Sequence, residues 1–230
     1  MKSPGKFISL EGGEGAGKTT QATMLRRRLT DRGIESVITR EPGGTPRAEA
    51  IRKVLLSGQA KEYGPLAEAL LFYVARDSLL ELMIRPSLAR GRWVICDRFF
   101  DSTRAYQGAA GGVSSASLNA LERVVVGATR PDLTLILDLP AEEGLRRAAM
   151  RAREEGAETD RFETMNLKFH HKLRQEFLAI ADAEPWRCVV IDASRPAEAV
   201  ASDIWAAVSD RLEIGAEKGA AHGQSPNYRF

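Results

Sequence analysis

Short, almost wholly apolar runs alternate along this chain with longer stretches in which apolar residues recur at helical spacing. Phe7-Ile8-Ser9-Leu10 is the first such run; a Gly-rich turn follows it, then a helical pattern over residues 18–32 with Gly33 as its stop. Further strand-like runs are Ser36-Val37-Ile38-Thr39, Trp93-Val94-Ile95-Cys96, Leu133-Thr134-Leu135-Ile136-Leu137 and Cys188-Val189-Val190-Ile191. Helical patterns occupy residues 46–56, 65–89, 114–126, 141–153, 166–183 and 196–212 between and after them. Strands apolar on both faces and separated by helical crossovers predict an α/β fold: a five-stranded parallel sheet flanked by helices on both faces. Right-handed crossovers leave few topologies. Residues 1–214 are expected to form a single domain, and residues 215–230, rich in Gly and Ala without periodicity, a flexible tail. The chain has no internal repeat.

Composition narrows the partners. Lys plus Arg number 33 and Asp plus Glu 31, for a formal charge of +2. Without a concentrated positive surface the chain does not read as a nucleic-acid binder. Its cations are mostly Arg (25 against 8 Lys), the residue suited to forked recognition of phosphate and carboxylate. Cys96 and Cys188 sit in apolar runs and read as buried filler. His170, His171 and His222 lack partners at zinc-ligand spacing. No apolar stretch approaches the roughly 20 residues that span a bilayer, and the first residues lack the pattern of an export signal. The expectation is a cytoplasmic protein without membrane contact.

One motif carries chemistry on its own. Gly12-Gly13-Glu14-Gly15-Ala16-Gly17-Lys18-Thr19 fits G-x-x-x-x-G-K-[ST] between a strand and a helix, and Thr20 continues it. Inward backbone N–H groups and a helix N-terminus make an anion cradle. Lys18 reaches terminal phosphates and Thr19 ligates Mg²⁺ in such loops, so ATP and Mg²⁺ are the expected ligands. A phosphotransferase, a GTP switch and an ATP-driven motor all remain possible at this point. The guanine-reading Asn-Lys-x-Asp run is absent, and Leu56-Ser57-Gly58-Gln59 lacks the second Gly of a transporter signature and comes early in the chain. A small-molecule kinase fits best. Asp97-Arg98 ends the third strand, where a parallel sheet faces its ligand crevice: the Asp can hold Mg²⁺ and the Arg an acceptor phosphate.

With these runs the chain resembles the thymidylate kinase family, P-loop nucleoside monophosphate kinases that phosphorylate dTMP. The resemblance rests on residues 11–20, 39–45 (Thr-Arg-Glu-Pro-Gly-Gly-Thr), 71–76 (Leu-Phe-Tyr-Val-Ala-Arg), 97–99, 102–108 (Ser-Thr-Arg-Ala-Tyr-Gln-Gly) and 130–133, and continues more weakly to about residue 210. It implies that Phe72 stacks on thymine, that Arg76 donates to a pyrimidine carbonyl, and that Thr103 faces the base edge. Tyr106 would crowd the 2′ position, Arg98 would hold the acceptor phosphate, and Glu14 would take the sugar 3′-OH or help place phosphate and metal. The turn at Pro42, with a cis bond before it, would shape the acceptor pocket, to which Ser102 and Gln107 also belong. A homodimer is implied as well, with residues 66–82 as one segment that could supply its interface.

The P-loop has no basic residue before Lys18, so the chain resembles the version that carries its helpful arginines in a lid, here about residues 147–163. Arg147, Arg151 and Arg153 are the lid candidates, with Arg151 and Arg153 favoured for catalysis. Asp160-Arg161-Phe162-Glu163 matches the segment that closes such a lid, while residues 153–159 read as an extended insert. Arg104 stands where bacterial relatives often have Gln. Other acceptors (dUMP, CMP or a nucleoside) and a non-enzymatic nucleotide-binding subunit remain the competing readings.

Overall fold

All five strands are parallel and lie in the order β2-β3-β1-β4-β5, with β1 (Phe7–Glu11) at the centre. The other strands are β2 (Ser36–Arg40), β3 (Trp93–Asp97), β4 (Leu133–Asp138) and β5 (Cys188–Asp192). This is the sheet expected from the apolar runs, within one residue at most strand ends. The computed structural model describes residues 5–155 and 162–214. Residues 156–161, which include Asp160 and Arg161, and the tail at 215–230 lie outside the described residues.

Alternation along the strands builds two different faces. Ile8, Leu10, Ile95, Leu133, Leu135 and Leu137 pack on one side beneath α1 (Lys18–Asp31) and, later in the chain, a helix over Ala197–Arg211. Phe7, Val94, Cys96 and Ile136 point to the other, which also carries Ser9, Glu11 and Thr134, all fully buried. That second face is covered by α2 (Pro46–Leu56), α3 (Gly64–Leu79), α4 (Arg85–Ala89), α5 (Phe100–Thr103), α6 (Ser115–Val125), α7 (Ala141–Glu155) and α8 (Leu167–Ala183) in part, chiefly by α3, α6 and α8; the helix at Ala197–Arg211 is α9. Cys96 and Cys188 are free thiols buried in these layers.

Where the structure departs from the periodicity, side-chain pattern is the reason. The helix expected over residues 65–89 is interrupted by a π-helical turn at Leu80–Ile84, directly ahead of Arg85-Pro86, whose proline lacks the N–H to continue the ordinary ladder. α5 and the π-helical turn Arg104–Ala110 that follows it were not expected, because Ser102, Thr103 and Gly108 break the apolar period. Among the described residues no helix is long and apolar enough to cross a membrane.

Candidate active site

A parallel sheet brings all strand C-termini to one edge, so the loops after β1, β2 and β3 meet there. They form one wall of a cleft of about 1060 Å³. Gly12 (φ 133°) and Gly15 (φ 65°) turn the first loop; a Cβ on Gly12 would stand 2.5 Å from the Leu137 carbonyl, and one on Gly15 would run into that of Gly144. Only glycine lets the loop fold this tightly. α1 then starts at Lys18 with no side chain capping its first N–H groups, which leaves them free for an anion. Lys18 Nζ donates to the carbonyls of Gly13 (2.7 Å) and Gly12 (3.2 Å), and burial, with Arg98 beside it, lowers its pKa to about 8. Thr19 Oγ1 donates to Asp97 Oδ2 at 2.6 Å. Two hard oxygens from the P-loop and the end of β3 thus sit together, a donor set that suits Mg²⁺.

The facing group is built on Arg98, a non-glycine residue in the left-handed region (φ 69°). Its Nη1 donates to Gly12 O (2.9 Å) and Ser102 Oγ (3.2 Å), and its Nη2 to Glu14 Oε1 (2.9 Å). The guanidinium lies 5.0 Å from the centre of the Tyr106 ring, whose hydroxyl donates to the same Glu14 oxygen at 2.5 Å. Burial alone would raise the pKa of Glu14, but Arg98, Lys18 and the Tyr106 hydroxyl hold it down to about 2. The result is a fixed cation and a fixed anion side by side.

Deeper in the cleft Arg76 is almost wholly buried (1% exposed) and grips Glu41 through Nε (2.9 and 3.1 Å) and Nη2 (2.7 Å). Nη2 also donates to Thr103 Oγ1 at 2.8 Å, while Nη1 is buried without a hydrogen-bond partner. An unsatisfied donor in a binding cleft is costly until a ligand oxygen meets it. Glu41 precedes Pro42 through a cis peptide bond. Phe72, one turn back from Arg76 on α3, is half-buried, lies outside the packed core clusters and lines the same cleft.

The sequence-predicted residues Glu14, Gly15, Gly17, Lys18, Thr19, Thr20, Pro42, Phe72, Arg76, Asp97, Arg98, Ser102, Thr103, Tyr106, Gln107 and Arg151 all line this cleft. Gly12, Gly13 and Ala16 belong to the same loop but are not among the residues that line the cleft. Arg151 pairs with Glu163 at 3.1 Å, whereas Arg153 is exposed and outside the cleft wall. Arg147 is held by Glu143 and by the carbonyls of Ala193 and Ser194. Arg104 turns away from the cleft into a cluster with Asp101, Glu122 and Glu184. Arg130 and Arg187 join the same acids, and all three guanidiniums pack around the Phe100 ring.

Sequence reasoning gave no role to Glu11 and did not foresee Glu41 as the partner of Arg76. The signal for Glu11 was an acid closing a strand that is apolar apart from Ser9, a residue type almost never buried without a specific partner.

The thymidylate kinase family model matches residues 10–204. A thymidylate kinase of Bradyrhizobium sp. (strain ORS 278) is 55% identical over 208 residues, covering 90% of this chain and 91% of the relative. One from Rhodopseudomonas palustris is 55% identical over 218 residues, 94% of each chain. One from Nitrobacter hamburgensis is 53% identical over 210 residues, 91% of this chain and 90% of the relative.

Proposed function

The chain belongs to the thymidylate kinase family, and on that premise we propose that it transfers the γ-phosphoryl group of ATP to dTMP, with Mg²⁺, giving ADP and dTDP. The observation that carries the reading is the single cleft in which a P-loop faces a second cationic grip, Arg98, with the unsatisfied Arg76 Nη1 deeper inside. A nucleotide-binding subunit without an acceptor has no use for that second half.

In the proposed reaction an oxygen of the dTMP phosphate attacks the γ-phosphorus, and the bond from γ-phosphorus to the bridging oxygen of ADP breaks. The acceptor oxygen is already anionic, so no general base is required; catalysis rests on alignment and on cations placed around the spreading charge. The P-loop amides and Lys18 hold the donor phosphates. Arg98, fixed by Gly12, Ser102 and Glu14, holds the acceptor phosphate. Arg151, already lining the cleft, brings the lid's positive charge, with Arg153 further out on the same helix. Mg²⁺, held beside Thr19 and Asp97, would neutralise phosphate charge when bound. Phe72 stacks on thymine, Arg76 Nη1 donates to a base carbonyl, and Tyr106 beside Glu14 leaves little room for a 2′-hydroxyl.

A coupled assay with dTMP, dUMP and CMP, with and without Mg²⁺, tests the reading. Preference for dTMP and dependence on the metal are expected; preference for CMP, or hydrolysis that no monophosphate redirects into transfer, would overturn it. Phe72→Ala removes the stacking platform and should raise the KM for dTMP roughly 5- to 150-fold, as loss of about 1–3 kcal/mol implies, with the KM for ATP unchanged. The pH profile has a defined sign. Lys18 is charged below about pH 8 in the free protein and neutral above it, and only the charged form attracts phosphate. The kcat/KM for ATP should therefore fall as pH rises through about 8, a limb read directly from initial rates.

The same reading makes the protein a cytoplasmic homodimer. Leu66, Leu70 and Val74, four residues apart on α3, expose a continuous apolar stripe that a second copy would cover. Sedimentation of the purified chain at micromolar concentration should give twice the monomer mass.

A further inference from the structure

Behind Arg98, buried out of the cleft, stands a carboxyl group that packing alone does not call for. Glu11 ends β1, a strand otherwise buried and apolar apart from Ser9, and is itself fully buried. Its Oε1 accepts the backbone N–H of Phe99 at 2.7 Å and its Oε2 accepts the Ser102 hydroxyl at 2.6 Å. Ser102 Oγ in turn accepts from Arg98 Nη1. The two contacts of Glu11 therefore hold the segment of the turn that directly follows the left-handed backbone of Arg98.

The rest of that turn is tied down in the same sense. Arg98 N donates to Leu10 O at 2.9 Å, and the Cys96 thiol donates to Arg98 O at 3.0 Å. Asp101, buried beside Ser102, is occupied by Arg187 through two bonds of 2.7 and 2.9 Å, which leaves the Ser102 hydroxyl to Glu11. Burial and the neighbouring Asp101 charge push the pKa of Glu11 up to about 8, so they disfavour its charged form, which the hydrogen bonds from Ser102 and Phe99 N and the charge of Arg98 favour. An apolar residue of similar volume would usually serve stability better there. It could not, however, accept from Phe99 N and Ser102 Oγ together.

We infer that Glu11 is a positioning residue: it holds the Arg98–Ser102 turn so that the Arg98 guanidinium faces the acceptor phosphate. The inference rests on the dTMP reading above, and concerns the phosphate end of that nucleotide rather than its base. A residue that merely glues the fold together would affect every ligand of the cleft alike. One that aims Arg98 affects only ligands with a phosphate for Arg98 to hold.

Isothermal titration of dTMP and of thymidine, which lacks the phosphate, separates the two. In Glu11→Gln, whose amide still accepts from Phe99 N but presents N–H to Ser102, dTMP should bind roughly tenfold or more weakly. Thymidine should bind within about twofold of the unaltered protein. Glu11→Asp, which draws the carboxylate back from both donors, should give the same pattern and carries the test should the Gln variant not fold, as judged by circular dichroism. Equal weakening of both ligands, or of neither, overturns the positioning role alone. Failure of the unaltered protein to bind dTMP overturns the dTMP reading, and the inference with it.

Discussion

Lys18→Ala is expected to lower turnover by roughly three orders of magnitude or more while dTMP still binds. Lys18 is the cation built into the donor loop, buried to 7% exposure and resting on the Gly12 and Gly13 carbonyls. From there its ammonium can swing onto the terminal phosphates of a bound triphosphate. Removal leaves the loop amides to bind phosphate but takes away a charge that matters most as the γ-phosphoryl group separates. The acceptor side stands on Arg98, Glu14 and Arg76, none of which hydrogen-bonds Lys18. Steady-state kinetics combined with titration of dTMP into the variant checks both halves. Normal turnover would remove Lys18 from the mechanism, and lost dTMP binding would show that the two halves of the cleft are not separable.

Arg98→Met should cost roughly 100- to 1000-fold in kcat/KM for dTMP, since a charge-assisted, preorganised grip on a phosphate is the kind of contact whose loss has that size. Its neighbours make the effect specific. Glu14 loses the cation that most strongly opposes its burial, so its pKa should climb from about 2 toward or above the ordinary carboxylate range. Neither change touches the base end, where Arg76 is fixed by Glu41 and Thr103. Initial rates at varied dTMP and saturating ATP should show the loss, and thymidine titration should show an intact base pocket. A variant that loses thymidine as well would mean that Arg98 supports the whole cleft.

The parts of this molecule that were legible in the sequence are those in which neighbours in the chain settle the structure. The five strands announce themselves as local apolar runs, and the P-loop as glycines at fixed offsets before a Lys and a Thr. The meeting of Thr19 with Asp97 followed from a general rule, that parallel strands end on one side. Contacts made across the fold were not legible. Nothing near residue 76 says that Glu41, 35 positions earlier, will take most of its guanidinium. Nothing near residue 11 says that it will brace a turn 88 positions away. The direction of Arg104 was equally hidden, because it depends on acids brought in by α6 and by the end of α8. The helical segment from residue 100 to 110 escaped the periodicity because it is partly a π-helical turn with hydroxyl residues on its cleft side.

The group around Phe100 has a consequence for how this protein can vary between species. Arg104, Arg130 and Arg187 face Asp101, Glu122 and Glu184, so three positive and three negative groups cancel in a largely dehydrated space. Exchange of Arg104 alone for a neutral residue such as Gln would strand a surplus anion beside the Phe100 ring. Substitutions in this group should therefore travel as matched pairs, an acid disappearing with its base, and chimaeras that import a single member from another lineage should express as weakened proteins.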